Sequence, residues 1–169
     1  MHYFKVTLKQ QLLILSSPIL LYSMLGLVYL YFFGFTLPSP VYMYAFLVLF
    51  FIDLLPALIL HIQYLNINSG SELIIDSKKR NITYTRKNKS SDKSFDDIKS
   101  IKNIASFGGG SNSGLYSFGE YSFCKITFKD ETFVFITCLM INKIRPSLEL
   151  LLEKKVDTKL KFFPFINIK

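Results

Sequence analysis

From Gln10 to Ile52 the chain carries no charged residue. A run of that length is either enclosed by protein on every side or dissolved in lipid. Two apolar blocks fill it. The first, Leu12–Phe35, is diluted only by Ser, Tyr, Gly and Pro18. The second, Val41–Ile62, holds one acid, Asp53, and Pro56. Crossing a hydrocarbon core of ~30 Å takes ~20 helical residues, so each block has the length of a membrane span. The uncharged turn Thr36–Pro40, with two prolines, folds them back as an antiparallel hairpin. A cleaved signal peptide is the competing reading of the first block. The block exceeds the usual 7–15 apolar residues of such a leader, lacks a small-residue cleavage site, and meets a second span five residues later, so a retained anchor is expected.

Lys and Arg near the ends of spans set orientation. The turn has none, whereas the N-terminal tail has Lys5 and Lys9, and Lys78, Lys79 and Arg80 follow the second span. Both termini are therefore expected on the cytoplasmic side of a cell (inner) membrane, with the turn outside. Two cysteines, Cys124 and Cys138, are too few for a disulfide framework and read as small buried thiols.

Asp53 is the one acid inside a span. Its insertion costs at least ~2.5–3.5 kcal/mol. It is a candidate intramembrane functional acid. The alternative is a hydrogen-bonded carboxyl facing its partner helix, reaching Ser16, Ser17, Ser23 or a Tyr. Pro56, three residues on, predicts a bend.

After about residue 65 the composition changes. The first 65 residues carry a net charge of +1, and the rest carries 18 basic against 11 acidic residues. The division expected is an anchor over 1–65 and a soluble domain over 66–169. Ser71–Asp76 and Asn81–Arg86 flank the polar turn Ser77–Arg80 as a hairpin, with Ile82 and Tyr84 on one face. Lys87–Asp92 reads as a polar loop. Ser94–Ile104 spaces Phe95, Ile98, Ile101 and Ile104 by three, which suits a bent strand or a helix. Tyr121–Phe128 and Thr132–Leu139 alternate around Lys129–Glu131, a second hairpin. One register places Cys124, Ile126 and Phe128 on the same face as Val134, Ile136 and Cys138. Phe123, Phe133 and Phe135 then need cover of their own. Asn142 to about Lys155 reads as an amphipathic helix with Pro146 in its first turn, a stripe of Ile144, Leu148, Leu151 and Leu152, and late cations that suit the helix dipole. The aromatic, basic tail Lys159–Lys169 is an extra strand or an interfacial segment.

Short antiparallel strands closed by one C-terminal helix carry a resemblance. Its residues are Leu73–Asp76, Ile82–Tyr84, Phe95–Ile98 with Ile101, and Phe128–Thr137 before the helix. In layout the chain resembles bacterial two-span membrane proteins with a PH-like, or YcxB-like, cytoplasmic domain. The resemblance implies an α+β fold: a transmembrane helical hairpin followed by a PH-like antiparallel β-barrel or sandwich closed by the C-terminal amphipathic helix. It brings no active site with it.

Catalysis is poorly provided for. The only histidines are His2 and His61, so no Ser-His or Cys-His pair forms within 66–169. Phe107–Gly114 lacks the Gly-Lys-Ser/Thr ending of a phosphate loop and reads as a strand connection. No catalytic residue, metal ligand set or cofactor is expected. Lys78, Lys79, Arg80, Arg86, Lys87 and Lys89 surround one hairpin, a candidate lipid contact or a solvated face. Beside an anionic leaflet each such charge contributes ~1 kcal/mol. The expectation is a membrane-anchored, non-catalytic binding or scaffold protein. Its partners are the bilayer, anionic head groups, or another membrane or cytoplasmic protein, and not nucleic acid. The alternatives are an anionic-lipid-sensing module at the inner leaflet and a small transport-related membrane protein using Asp53.

Overall fold

The computed structural model describes residues 1–34, 40–87, 89–107 and 116–167. After a short strand, β1 (His2–Lys5), helix α1 (Leu8–Phe33) starts behind Thr7, whose hydroxyl accepts from the Gln10 N–H at 3.3 Å. It ends at Gly34, whose φ of +60° is open to glycine at little steric cost. Helix α2 (Pro40–Leu49) passes through a π-turn (Phe50–Leu54) into α3 (Leu55–Asn68). The two long helices run antiparallel, with Tyr22 against Phe46 and Tyr29 against Tyr42. The stretches Leu8–Phe33 and Pro40–Asn68 are both long and apolar enough to span a membrane. Except for Pro40, the Thr36–Pro40 turn lies outside the described residues.

The π-turn has a chemical cause. Pro56 has no N–H to offer the Ile52 carbonyl, and its ring crowds that carbonyl. The chain widens there, and the Leu55 N–H bonds back to the Phe50 carbonyl. The bend expected near Pro56 takes this form, which turns Asp53 inward.

Two four-stranded sheets follow. One has the order β1-β2-β3-β4, with β2 (Ser71–Asp76), β3 (Asn81–Arg86) and β4 (Lys89–Ser94), all antiparallel. The other has the order β7-β6-β5-β8, with β5 (Ile98–Ser106), β6 (Ser122–Phe128), β7 (Phe133–Thr137) and β8 (Asp157–Lys161). The β2–β3 hairpin has the bounds expected of it. In the second hairpin Cys124 faces Ile136 and Ile126 faces Val134, so the apolar sets share a face and are buried.

The structure adds detail to these expectations and departs from some of them. The N-terminal tail forms β1 and pairs with β2, His2 opposite Ile75 and Lys5 opposite Glu72. Lys89–Ser94 is a strand and not a loop. It pairs fully with β3 yet buries almost nothing, so it has no apolar alternation to give it away. The sheets are not purely antiparallel, because β8 lies parallel to β5 as an added edge strand. No ladder joins the two sheets into a closed barrel among the described residues. Between them a 3₁₀ turn at Phe95–Asp97, boxed by Ser94 and Asp97, ends the β4 ladder and buries Phe95. Finally, the C-terminal helix α4 is shorter than 142–155, spanning Ile144–Leu152. Glu153, at φ +52°, stops it, so Lys154 and Lys155 lie past its dipole. Lys154 instead donates to the Phe95 carbonyl at 2.5 Å. The apolar stripe holds: Ile144, Leu148, Leu151 and Leu152 are buried.

One continuous core joins Leu73, Ile75 and Ile82 of the first sheet, Ile101, Ile126 and Ile136 of the second, Leu148 and Leu152 of α4, and Leu60 and Tyr64 of α3. The apolar helix pair is thus part of the domain's packing.

Candidate functional site

The lower half of each long helix lies against the sheets, and the upper half stands bare. Along α1 the last buried residue is Pro18, and along the second helix the first is Asp53. Asp53 is only 6% exposed. Its carboxyl accepts from the Ser117 N–H at 2.7 Å, from the Ser117 hydroxyl at 2.5 Å and from the Tyr22 hydroxyl at 3.4 Å. The Ser117 N–H and hydroxyl donate to the carboxyl, while the single Tyr22 hydroxyl proton is shared between it and the Leu49 carbonyl at 3.2 Å. Of the partners expected for it, a Tyr is present. Ser117 comes from the sheet domain, 64 residues away.

Further contacts descend α3 in order. His61 Nδ1 lies 3.0 Å from the Tyr121 hydroxyl. The Tyr64 hydroxyl donates to the Pro164 carbonyl at 2.9 Å, and its ring packs edge-on against Phe123. Asn68 donates to the Phe135 carbonyl at 2.9 Å and accepts from the Thr137 N–H at 3.0 Å. These contacts cover Phe123, whereas Phe133 stays 42% exposed under the Lys125 ammonium. Burial pushes the Tyr121 phenol far above its ordinary range. It also pushes both thiols, Cys124 and Cys138, up to about 12. Thiols so placed stay protonated and unreactive near neutral pH.

Where α1 meets the second sheet and the start of α4, a cleft of about 360 Å³ opens. Ser16 and Ser17 of α1, Asn103, Glu120, Lys143 and Arg145 supply its polar lining. Asn103 is 5% exposed, and its amide oxygen has no hydrogen-bond partner. A buried carbonyl oxygen without a donor costs about 1–3 kcal/mol.

The six basic residues do not form one patch. Lys78, Lys79 and Arg80 occupy the β2–β3 turn, while Arg86, Lys87 and Lys89 lie at the other end of β3, ~17 Å along the strand. Arg80 pairs with Asp96 at 3.4 Å and Glu153 at 3.7 Å. Arg86 donates to the Asn66 carbonyl at 3.3 Å, in the last turn of α3, and lines a shallow depression with Lys87, Lys89 and Tyr84. Asn66 is 13 residues below Asp53, ~20 Å along the helix. Most of the glycine-rich segment, residues 108–114, lies outside the described residues. No cluster of three or more His, Cys, Asp or Glu suited to a metal occurs among the described residues.

Sequence reasoning singles out Asp53 because a lone acid in an apolar helix is conspicuous. It misses Ser117, Asn103 and the cleft, since no local pattern marks a serine in a turn or an asparagine in a strand as a contact across the fold. No curated protein and no solved structure matches the chain. A comparison with protein families matches the PH domain over residues 3–146. That stretch starts inside β1, runs through both apolar helices and ends in α4, so the helices lie within the family unit. The chain belongs to the PH domain family, with two helices of membrane-spanning length set between its first and second strands.

Proposed function

We propose that this protein is a membrane-anchored, non-catalytic binding or scaffold protein, whose PH domain is held rigidly against its own transmembrane hairpin. The observation that carries the reading is the seat of Ser117 on Asp53, which ties the sheets to the second apolar helix. A PH domain points to recognition of lipid or protein, and the cleft beside Ser17, lined by Asn103, Glu120, Lys143 and Arg145, offers polar groups of both signs to a ligand. In this reading both termini face the cytoplasm, as Lys5 and Lys9 favour. The narrower likeness to two-span bacterial proteins with a YcxB-like domain belongs to the same proposal.

The test is a photo-activated cross-linker at Ser17 in the full chain, in native membranes. A single adduct of defined mass, lost in Asn103→Leu, supports recognition at the cleft. An unchanged adduct pattern in Asn103→Leu, or no adduct, removes it.

The anionic-lipid alternative is weaker on geometry. The six basic residues are split between the two ends of β3, and both arginines are already engaged, Arg80 by Asp96 and Glu153 and Arg86 by the Asn66 carbonyl. The transport alternative gives Asp53 a mobile proton or ion, whereas its three donors fit a fixed docking role. Proteoliposomes carrying Asp53→Asn should then show the same ion and proton leak as the parent chain. A flux lost in that variant would favour transport.

A further inference from the structure

The bare part of the hairpin is too short for the membrane it has to cross. No residue of α1 is buried from Ile19 to its end at Phe33, and no residue of the second helix from Pro40 to Ile52. Ile19–Phe33 spans only ~22 Å, against ~30 Å of hydrocarbon. About 8 Å is left for neighbouring parts of the molecule to cover. The outward faces of both helices supply part of it. Leu12, Leu13, Ile59 and Ile62 stay 46–59% exposed one to three turns below the bare stretch.

The sheet domain supplies the rest at the same level. Ser117 touches Asp53, so its neighbour Tyr116 lies at the top edge of the second sheet, next to the anchor. The Tyr116 ring is 6.2 Å from Phe162. Phe107 donates its N–H to the Lys161 carbonyl at 3.1 Å, at the same edge. Phe107 (51% exposed), Leu160 (49%), Phe162 (45%) and Tyr116 (39%) form an apolar rim, and Lys159 and Lys161 flank Leu160 on β8. Aromatic rings with lysines beside them are the chemistry of the lipid–water boundary, where rings enter the acyl border and ammonium groups reach phosphate.

We propose that Phe107, Tyr116, Leu160 and Phe162 insert into the head-group layer of the membrane that the helices cross, sinking the top of the PH domain into that leaflet. The occupant is the bilayer itself, because the rim continues the exposed apolar band of the helices. The inference rests on the membrane-spanning reading above.

The chain contains no tryptophan, so one introduced tryptophan reports one place. Phe162→Trp, Tyr116→Trp, Phe32→Trp in the bare span and Phe133→Trp are each reconstituted as full chains in phosphatidylcholine–phosphatidylglycerol vesicles. Some of the lipids are brominated at shallow acyl positions. Phe133 pairs with Thr127, ~17 Å down β6 from Ser122. The expected result is blue-shifted emission from Phe162→Trp and Tyr116→Trp, with at least half the bromine quenching of Phe32→Trp. Phe133→Trp should go unquenched. Solvent-like emission at 162 and 116, with Phe32→Trp quenched, overturns the proposal alone. Blue-shifted but unquenched emission there also overturns it, since protein and not lipid then covers the rim. If Phe32→Trp is itself unquenched, the membrane-spanning reading fails, and the insertion falls with it. Thiol protection of Cys124 and Cys138 checks that each variant is folded.

Discussion

A carboxyl group placed in an apolar helix gives up water, and hydrogen bonds return only part of that loss. Asp53 recovers it from a backbone N–H, a serine hydroxyl and a tyrosine hydroxyl. Removing the acceptor strands the donors. A buried donor without a partner costs about 1–3 kcal/mol, and two on Ser117 are at stake. Asp53→Leu should therefore lower stability by ~2–5 kcal/mol, read as thermal unfolding of the full chain in detergent. Asp53→Asn keeps one acceptor oxygen for the Ser117 N–H and should cost ~1 kcal/mol. Equal losses in the two variants would mean that charge, and not acceptor geometry, holds the junction. As a feature of one helix the acid is legible from sequence. Its partner is not, because Ser117 lies in a turn next to residues 108–115 and no periodicity ties it to position 53.

Elements that bury a face announce themselves, and elements that only add hydrogen bonds do not. The β6–β7 hairpin and α4 are readable because Ile126, Val134, Leu148 and Leu152 recur at the spacing of their element. The strands β1 and β4 lack such a signal. Lys89–Ser94 holds no apolar residue and is an edge strand, where charge and Ser discourage further pairing. Its place is fixed from outside. The Lys93 ammonium meets the Asp130 carboxylate in the β6–β7 turn, linking the edge of one sheet to the other. Hydrogen bonds from Lys93 and Thr132 hold the Asp130 carboxyl at about 2, below its ordinary 3.8. A carboxyl depressed on folding adds stability above its unfolded value and loses it as pH falls toward the folded one. The full chain should thus exceed Asp130→Asn in melting temperature by a constant margin above pH ~4. The margin should shrink between pH ~4 and ~2 and disappear below. It should also narrow in high salt, because the pair is partly open to water. A margin independent of pH would remove the ion pair as the link.

At the scale of the whole molecule, sequence order and spatial order disagree. Composition divides the chain near residue 65, yet β1 lies before the hairpin and pairs with β2 after it, and α3 forms one wall of the core. The two apolar helices are therefore set within the fold, between strands that pair with each other. A chain cut to residues 66–169 loses β1, most of α3 and the seat of Ser117. Leu60 and Tyr64 are wholly buried, and each large side chain of this kind contributes ~1.5–3 kcal/mol. Together with the four-residue ladder of β1 and the Asp53 contacts, the loss approaches the ~5–15 kcal/mol that stabilises a typical domain. The fragment should fail to fold cooperatively. Cys124 and Cys138, unreactive in the full chain because burial holds both thiols up at about 12, should react with a thiol reagent in the fragment within minutes under native conditions. Full-length protein in micelles should react only on denaturation. A fragment with protected thiols and a sharp thermal transition would show that the sheets carry their own stability. The anchor would then be an attachment to the domain and not one of its walls.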